Sequence, residues 1–258
     1  MKIALLGYGK MGRVIEGLAG EAGDEIVLRV DEHNRADISP ETLRSAEVAI
    51  EFSRPEAAVA NIDLALAAGV PIVVGTTGWL GELAAVAERT QRAGGALFWA
   101  SNFSVGVNVF FAAARRAAEL LAPYGGDYAA AIEEIHHEQK LDAPSGTAIT
   151  LAETVAAALP TYDSWRLDEV VSAVPQRRVD PMAAPAPGRA GVPIRAVREA
   201  GVPGTHSLRL SSSVDTLELR HVAHSREGFA RGALAAARWL ASDGRRGVFT
   251  MQDLLARD

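Results

Sequence analysis

The feature that most constrains the fold is a glycine-rich turn close to the start of the sequence. A short apolar run at residues 2–6 leads into Gly-Tyr-Gly-Lys-Met-Gly at Gly7–Gly12, and an amphipathic helical pattern follows. Glycines at this spacing allow a tight turn, close approach of the backbone to a pyrophosphate, and close packing of a helix on a strand. A second apolar run at 26–30 ends at Asp31, where dinucleotide-binding folds place the carboxylate that holds the adenosine ribose. This order predicts a unit that binds a nicotinamide or flavin dinucleotide.

The residues around Asp31 bear on which nicotinamide cofactor is bound. A carboxylate at this position hydrogen-bonds the 2′-hydroxyl of NAD and repels the 2′-phosphate of NADP. His33 and Arg35, however, lie close enough in the sequence to accept a phosphate instead. We therefore expect NADH as the preferred cofactor, with NADPH as the alternative. On the sequence alone, Asp31 could also be a solvated acid at the end of a strand.

Strands alternate with helices over roughly the first hundred residues. Apolar runs at 46–52, 70–74 and 96–100 are separated by helical patterns. Such alternation predicts an α/β fold with a Rossmann-like, doubly wound parallel sheet, in which ligands bind beyond the carboxyl ends of the strands. Gly75–Gly78 and Asn102 follow strands in this way, so we expect both to face the cofactor. The alternatives are an ordinary loop at Gly75–Gly78 and a helix cap at Asn102.

The pattern changes in the second half of the chain. One long Ala-rich helix is predicted at 104–123, and most of the strand-like runs after it have no helix between them. Such runs favour a mixed or antiparallel sheet, so a second α+β domain is expected. The predicted elements are strands at 128–135, 165–174, 194–197, 206–212 and 216–222, and helices at 146–159, 226–242 and 251–256. Prolines and alanines at 179–193 predict an exposed, mobile loop.

The stretch Glu133–Ala148 carries the residues best suited to proton transfer. It contains the adjacent pair His136 and His137, then Lys140, and a Pro-Ser-Gly-Thr turn that opens a helical pattern. Histidine exchanges a proton near neutral pH, and the free N–H groups at a helix N-terminus bind anions. We therefore expect a site that binds and protonates a small anion, with His136 and Lys140 suited to proton transfer. The residues suited to holding the anion are His137, Gly146 and Thr147.

Other interpretations of this stretch remain open on the sequence alone. In a continuous strand the two histidines would point to opposite faces, so either the strand ends before His137 or only one histidine reaches the substrate. The histidines could also be structural, and Lys140 a solvated surface lysine. No metal is expected, because adjacent histidines are poor ligands for one ion and no third histidine stands at a useful spacing. A Ser145 nucleophile is disfavoured because the nucleophile-elbow pattern is missing.

The composition limits the remaining classes of function. The 26 basic and 32 acidic residues give a net charge of −6, without the basic excess typical of nucleic-acid binding. Cysteine is absent, which excludes disulfides and thiolate metal sites and is compatible with a reducing cytoplasm. The N-terminal apolar run is too short for a signal peptide, and no stretch is long enough to predict a membrane span. We expect a cytoplasmic protein without nucleic-acid or membrane partners.

The central stretch resembles the signature of a known enzyme family, the 4-hydroxy-tetrahydrodipicolinate reductases, formerly called dihydrodipicolinate reductases. The residues that carry the resemblance are Glu134-Ile135-His136-His137, Lys140 and Asp142-Ala143-Pro144-Ser145-Gly146-Thr147-Ala148, together with Gly7–Gly12, Gly75–Gly78, Asn102–Asn108 and Gly201–His206. The resemblance implies NAD(P)H-dependent reduction of 4-hydroxy-tetrahydrodipicolinate to tetrahydrodipicolinate with loss of water. That reaction belongs to lysine biosynthesis by the diaminopimelate pathway. Residues 160–191 match no part of the family pattern.

The resemblance also implies roles for individual residues. His136 and Lys140 would transfer protons, and the contacts to a small dicarboxylate substrate would be His137, Gly146 and Thr147. The cofactor contacts would be Gly7, Tyr8, Gly9, Lys10, Met11, Gly12, Asp31, Gly75, Thr76, Thr77, Ala100, Ser101, Asn102 and Phe103. Residues 1–103 and 227–258 would form the dinucleotide-binding domain, and 104–226 a substrate-binding and oligomerisation domain. Family members are typically homotetramers.

Two other functions are consistent with a two-domain nicotinamide-binding chain. An amino-acid dehydrogenase of the aspartate type would not need the His-His-x-x-Lys run or the Pro-Ser-Gly-Thr turn. A non-catalytic NAD(H) sensor would bind the cofactor without oxidising it in the presence of substrate.

Overall fold

The computed structural model describes residues 1–172 and 190–256, and the chain divides into two compact units. The first unit is Met1–Val105 with Glu227–Asp258, and the second unit is Gly106–Arg226. The elements in chain order are β1 (Lys2–Leu6), α1 (Lys10–Glu21), β2 (Glu25–Val30), α2 (Pro40–Leu43), β3 (Val48–Glu51), α3 (Pro55–Ala68), β4 (Ile72–Val74), α4 (Leu83–Arg92), β5 (Ala96–Trp99), α5 (Val105–Leu121), β6 (Ala129–His136), α6 (Gly146–Ala158), β7 (Tyr162–Ser172), β8 (Ala190–Arg198), β9 (Gly204–Ser211), β10 (Thr216–Ala223), α7 (Glu227–Ala241), β11 (Gly247–Phe249) and α8 (Met251–Leu255). Short 3-10 helices lie at Arg35–Asp37, Leu80–Glu82 and Ala122–Tyr124. No helix in the described ranges is long and apolar enough to cross a membrane.

The first unit is built on a parallel sheet with the strand order β11-β5-β4-β3-β1-β2. Strands β3 and β4 are buried along their whole length, as expected for a parallel sheet that is covered on both faces. One core cluster packs around Phe98 with α1 and α7, and a second packs around Ile72 with α3. The predicted doubly wound parallel sheet is therefore confirmed.

Strand β1 lies between β2 and β3, so the strand order reverses direction between β1 and β3. At such a reversal the loops after the two strands leave a crevice in which open α/β sheets bind ligands. Gly7 follows β1 and Phe52 follows β3, and the two residues are in close contact at this edge. The fold therefore places the predicted glycine-rich turn where a ligand can be bound.

The second unit contains a mixed sheet with the order β10-β9-β6-β8-β7. Strands β6, β8 and β7 are parallel to each other, while β9 is antiparallel to β6 and β10. The central strand β6 packs Ala130 and Ile132 against Leu151 and Val155 of α6, which forms a separate apolar core. The predicted α+β unit with a mixed sheet is confirmed.

Helix α2 is missing from the sequence prediction, and two further stretches differ from it. The sequence pattern missed β11, because this strand has three half-buried residues and forms only by pairing with β5. The loop predicted at 179–193 is wrong over residues 190–193, which form the start of β8 and pair with β7. Pro193 is tolerated there because pairing between β8 and β6 begins one residue later, at Ile194. Residues 179–189 of the predicted loop lie outside the described residues.

The turn after β1 requires glycine at position 7. Gly7 has a φ of +107°, and an added Cβ would lie 2.1 Å from the carbonyl oxygen of Phe52. We expect Gly7→Ala to lower the free energy of unfolding by more than about 2 kcal/mol, because it combines backbone strain with this clash. The matched control is Gly17→Ala in the exposed middle of α1, where no atom lies within 4 Å of the added Cβ. That change should stabilise the chain by about 0.5–1 kcal/mol. Equal effects of the two changes in urea unfolding would contradict this account.

Candidate active site

Four buried polar residues of the second unit come together from three neighbouring strands. The sheet register places Glu134 of β6 opposite His206 of β9, and His136 of β6 opposite Arg198 of β8. Alternate residues of a strand share a face, so Glu134 and His136 continue the face that carries Ile132. This face is apolar against α6 and becomes polar at the carboxyl end of β6. We call Glu134, His136, Arg198 and His206 the strand-end cluster.

Glu134 is at the centre of the strand-end cluster and is fully buried. Its Oε1 atom accepts hydrogen bonds from Nη1 and Nη2 of Arg198, both at 3.3 Å, and from the backbone N of Ser145 at 3.1 Å. Its Oε2 atom lies 3.1 Å from Nδ1 of His136 and 3.8 Å from Nε2 of His206. The contact to His136 has the length of a hydrogen bond, but in this conformation the ring N–H is not aligned with the oxygen. The described residues offer neither atom another hydrogen-bond partner.

Two members of the strand-end cluster, Glu134 and His206, have strongly lowered pKa values. Burial alone would raise the pKa of Glu134, but the neighbouring His136 and the hydrogen bond from Ser145 outweigh burial and lower that pKa to about 2. Burial, together with the neighbouring His136, lowers the pKa of His206 to about 3. At neutral pH the site therefore contains an ionised carboxylate and an uncharged His206 around the imidazole of His136.

Ser145 connects the strand-end cluster to the start of α6. Its Oγ atom accepts a hydrogen bond from the backbone N of Ala148 at 3.2 Å and thereby caps the helix. The same oxygen lies 3.1 Å from Nε2 of His206. Gly146 and Thr147 form the first turn of α6, so these two predicted anion contacts are held next to Glu134 through Ser145.

Arg198 fixes the loop that follows β6. Its Nη2 atom donates to the carbonyl oxygen of Asp142 at 2.7 Å, and its Nε atom donates to that of Lys140 at 3.4 Å. The side chain of Lys140 lies in this loop and pairs with Asp142, with 2.8 Å between Nζ and Oδ1. The hydrogen bond from Lys140 lowers the pKa of Asp142. The predicted proton-transfer lysine is therefore ion-paired in this conformation.

The two adjacent histidines occupy different positions. Strand β6 ends at His136, so the alternative in which the strand stops before His137 is the one observed. His137 lies in the following turn, where its carbonyl oxygen accepts from the backbone N of Lys140 at 3.1 Å. Its Nε2 atom lies 3.3 Å from Nη2 of Arg226. His136 thus belongs to the buried cluster, whereas His137 stands beside an arginine.

In the first unit, Gly7, Gly12 and Gly75 stand where neighbouring protein atoms leave no room for a Cβ. An added Cβ at Gly12 would lie 2.5 Å from the carbonyl oxygen of Gly7, and one at Gly75 would lie 2.1 Å from the ring of Phe52. Gly9 precedes α1 and provides no side-chain cap, so the helix N-terminus carries only backbone groups there. This cradle fits the pyrophosphate of a dinucleotide, which needs close backbone approach and a helix N-terminus. Tyr8, Lys10 and Met11 lie on the same turn and the start of α1.

Asp31 and Arg35 follow β2. These are the residues for which the sequence left the choice between NADH and NADPH open. Oδ1 of Asp31 accepts from the backbone N of His33 at 2.9 Å. The guanidinium of Arg35 is directed to α3, since Nε donates to Oδ1 of Asn61 at 2.6 Å and Nη2 donates to the carbonyl oxygen of Ala60 at 3.3 Å. The cation that could accept a 2′-phosphate is therefore engaged elsewhere in this conformation.

The remaining predicted cofactor contacts lie in the loops after β4 and β5. Oγ1 of Thr76 accepts from the backbone N of Ser53 at 2.8 Å, which ties the loop after β4 to the loop after β3. Oδ1 of Asn102 accepts from the backbone N of Ser104 at 2.9 Å, in the turn that leads into α5. Phe103 is buried against the rings of Phe52 and Phe98. The other contacts predicted in these loops are at least partly accessible to solvent, namely Gly75, Thr77, Ala100, Ser101 and Asn102, whereas Thr76 is buried.

Comparisons with known proteins agree over almost the whole chain. The family described as dihydrodipicolinate reductase, N-terminus, matches residues 1–103, and dihydrodipicolinate reductase, C-terminus, matches residues 106–255. The chain belongs to the dihydrodipicolinate reductase family. The resemblance found in the sequence is thereby confirmed, and enzymes of this family are oxidoreductases that use NAD(P)H.

Individual relatives support the same assignment. The chain is 42% identical to the 4-hydroxy-tetrahydrodipicolinate reductase of Christiangramia forsetii over 258 residues, covering 99% of this chain and 98% of that protein. It is 40% identical to the enzyme of the same name from Magnetococcus marinus, covering 83% of this chain and 75% of the relative. Among solved structures, the dipicolinate-bound dihydrodipicolinate reductase from Paenisporosarcina sp. TG-14 has a TM-score of 0.75 at 22% identity, covering 99% of both chains. That structure supports the fold.

Sequence reasoning missed the roles of Glu134, Arg198 and His206 in this site. The alternation Glu134-Ile135-His136 could have indicated that the carboxylate and the imidazole share a face. Arg198 and His206 carry no comparable local signal, because they reach the cluster only through the pairing of β8 and β9 with β6. No third histidine stands at a useful spacing in the sequence, but the pairing of β9 with β6 brings His206 to His136, with 5.1 Å between the ring centroids.

Glu134, His136 and His206 also have the donor set of a metal site, with ligand atoms within 4.8 Å of one another. A cation bound there would have to share Glu134 with the guanidinium of Arg198, which already lies against this carboxylate. The absence of a metal stays a prediction.

The buried His206 predicts an acid-sensitive stability. Its pKa is about 3 in the folded chain against 6.5 for an ordinary histidine, so between these values the unfolded chain binds the additional proton. The free energy of unfolding should therefore fall as the pH is lowered from 6.5 towards 3. Glu134 acts in the lower window, because its stabilisation is present above 4.5 and is lost as the pH falls through about 2.

Replacing His206 separates the pH range in which this histidine affects stability from the lower pH range in which Glu134 does. His206→Gln should reduce the pH slope of the unfolding free energy between about pH 6.5 and 4.5 by at most ~1.4 kcal/mol per pH unit, the value for one proton. Urea unfolding at both ends of this window measures the slope. His33→Gln, which removes an exposed histidine of the first unit, is the control and should leave the slope unchanged. An unaltered slope in His206→Gln would show that this imidazole is not held uncharged.

Proposed function

We propose that the chain catalyses the NAD(P)H-dependent reduction of 4-hydroxy-tetrahydrodipicolinate to tetrahydrodipicolinate with loss of water, as part of lysine biosynthesis by the diaminopimelate pathway. The observation that carries this proposal is the position of His136. It lies beside a buried carboxylate at the end of β6, and Ser145 links that carboxylate to the N-terminus of α6. An acid–base group beside an anion-binding helix start suits a dicarboxylate that must take up a proton. Membership of the family supports the same reaction.

The residues of the second unit bind the substrate and handle the proton. His136 and Lys140 transfer protons, and the backbone of Gly146 and the hydroxyl of Thr147 hold a substrate carboxylate. His137 stands beside Arg226, and the two together offer positive or donor groups to the substrate. The strand-end cluster keeps His136 on a rigid strand rather than on a loop, which favours a reproducible geometry for proton transfer.

The residues of the first unit hold the cofactor, which supplies the hydride when bound. The glycine cradle receives the pyrophosphate, and Asp31 binds the ribose. The further cofactor contacts are the residues predicted from the sequence that lie in the loops after β4 and β5. NADH is the preferred cofactor, because Asp31 repels a 2′-phosphate while Arg35 is committed to Asn61 and Ala60.

The second unit is also proposed to form a homotetramer through its sheet. Strands β7 and β10 expose apolar side chains, namely Leu167, Val170, Leu217 and Val222, which a partner subunit would cover. Light scattering on the purified chain tests this assembly. The biosynthetic role of the family and the lack of cysteine favour the cytoplasm as its location.

Separate replacement of the two proton-transfer residues tests the proposed reaction. We expect His136→Gln and Lys140→Met each to lower kcat by about 10²-fold or more, because general acid–base catalysis contributes at least this factor. Cofactor binding should be unchanged. The assay follows the loss of NADH and NADPH absorbance with freshly made 4-hydroxy-tetrahydrodipicolinate. His224→Gln, which alters an exposed histidine after β10, is the control. Wild-type turnover in both variants would refute the assignment, and cofactor binding without any turnover in the wild type would indicate a sensor.

Replacement of Asp31 tests cofactor preference. Asp31→Asn should raise kcat/KM for NADPH relative to NADH, because it removes the charge that repels the 2′-phosphate while keeping an oxygen for the backbone N of His33. The control is Glu25→Gln at the opposite end of β2, which removes the same charge far from the ribose site. The same change in the cofactor ratio in both variants would assign the preference to net charge rather than to Asp31.

A further inference from the structure

Building on the proposed reductase function, we infer that Glu134 is a positioning residue that holds Nδ1 of His136 towards the protein, so that Nε2 is the nitrogen that exchanges the proton with substrate. The two nitrogens of a histidine are distinct, and the group bound to one of them decides which tautomer the other presents. The assignment therefore specifies an atom for the reaction and a reason for the burial of a charged glutamate.

The first observation concerns the surroundings of Nδ1. This atom is buried and lies 3.1 Å from Oε2 of Glu134. Because Nδ1 faces a carboxylate inside the protein, it cannot reach a substrate, and a proton on Nδ1 is favoured by the negative charge.

The second observation concerns the opposite side of the ring. An added Cβ at Gly204 would lie 3.1 Å from Nε2 and 3.3 Å from Cδ2 of His136. Glycine at position 204 therefore puts no side-chain atom beside Nε2. His136 as a whole keeps 8% of its surface exposed, whereas Nδ1 has essentially none, so the accessible part of the ring excludes Nδ1.

The third observation is the balance of charge around the ring. Glu134 faces His136 from the same strand, Arg198 faces the carboxylate from β8, and His206 faces both from β9. The loop after β6 adds the pair of Lys140 and Asp142. Arg198 pairs with Oε1 of Glu134, and His206 is uncharged at neutral pH. Oε2 is therefore the carboxylate atom that faces Nδ1 of His136.

The experiment compares Glu134→Gln with Glu133→Gln in the full-length chain. Both changes remove a carboxylate of β6 that is paired with an arginine of β8, but Glu133 and its partner Arg195 lie on the other face of the sheet. We expect Glu134→Gln to lower kcat by about 10²-fold, to leave the KM for NADH unchanged and to shift the pH profile of kcat, because an uncharged amide replaces the carboxylate that faces Nδ1 of His136. Glu133→Gln should stay within about twofold of the wild type.

A second variant covers the case in which Glu134→Gln does not fold, because that change leaves Arg198 buried without its partner. Gly204→Ala retains the ion pair and places a methyl group against Nε2, so it should lower kcat by about tenfold or more. Gly126→Ala in the same unit has no atom within 4 Å of the added Cβ and serves as its control. A wild-type kcat in Gly204→Ala would contradict the role of Nε2.

The tautomer itself can be observed without turnover. In ¹⁵N-histidine-labelled protein, with His136 identified by comparison with His136→Gln, we expect the uncharged ring to carry its proton on Nδ1 in the wild type and to lose this preference in Glu134→Gln. A wild-type proton on Nε2, or an unchanged pH profile in a folded Glu134→Gln, would overturn the inference. If the wild type fails to reduce the substrate, the proposed function falls, while the NMR result still decides the role of Glu134.

Discussion

The buried ion pair between Glu134 and Arg198 is the interaction on which the second unit depends. A carboxylate without solvent contact is costly unless several donors surround it, and here a guanidinium and the backbone of Ser145 supply them. Removing one partner of such a pair typically costs about 3–5 kcal/mol, because the other charge is left buried. Through Arg198 the same pair fixes the loop that carries Lys140, and through Ser145 it fixes the start of α6. One charge pair thus orders a strand end, a loop and a helix N-terminus.

The first unit is organised by steric constraint rather than by charge. Gly7, Gly12 and Gly75 bring backbone and side-chain groups so close that a methyl group has no room. These contacts lie where the order of the parallel strands reverses, between β1 and β3. Glycine has no side chain to cover the backbone N–H groups there, so an anionic pyrophosphate can approach them. The two units therefore prepare their sites in different ways, one by close packing of the backbone at glycines and the other by pairing buried charges.

The sequence predicted the elements of the fold well where their stabilisation is local. Buried apolar runs such as 70–74 identified parallel strands, and helical periodicity identified α6 to within one residue. The prediction failed for elements that form only by pairing with another strand. β11 forms because β5 presents an open edge, and residues 190–193 extend β8 because β7 pairs with them in spite of Pro193. Neither partner can be recognised from the short segment itself.

For the active site, the sequence by itself determined the residue types and their local spacing: the adjacent histidines, Lys140 and the turn into α6, together with the glycine turn and Asp31 of the cofactor unit. Short-range geometry is encoded within a single segment, so these predictions needed no knowledge of the fold. Only the tertiary structure decided that β6 ends at His136 and that Arg198 and His206 join Glu134. These residues are far apart in the chain and meet through sheet register. Burial together with these new neighbours sets the charge states of Glu134 and His206, which local spacing cannot reveal.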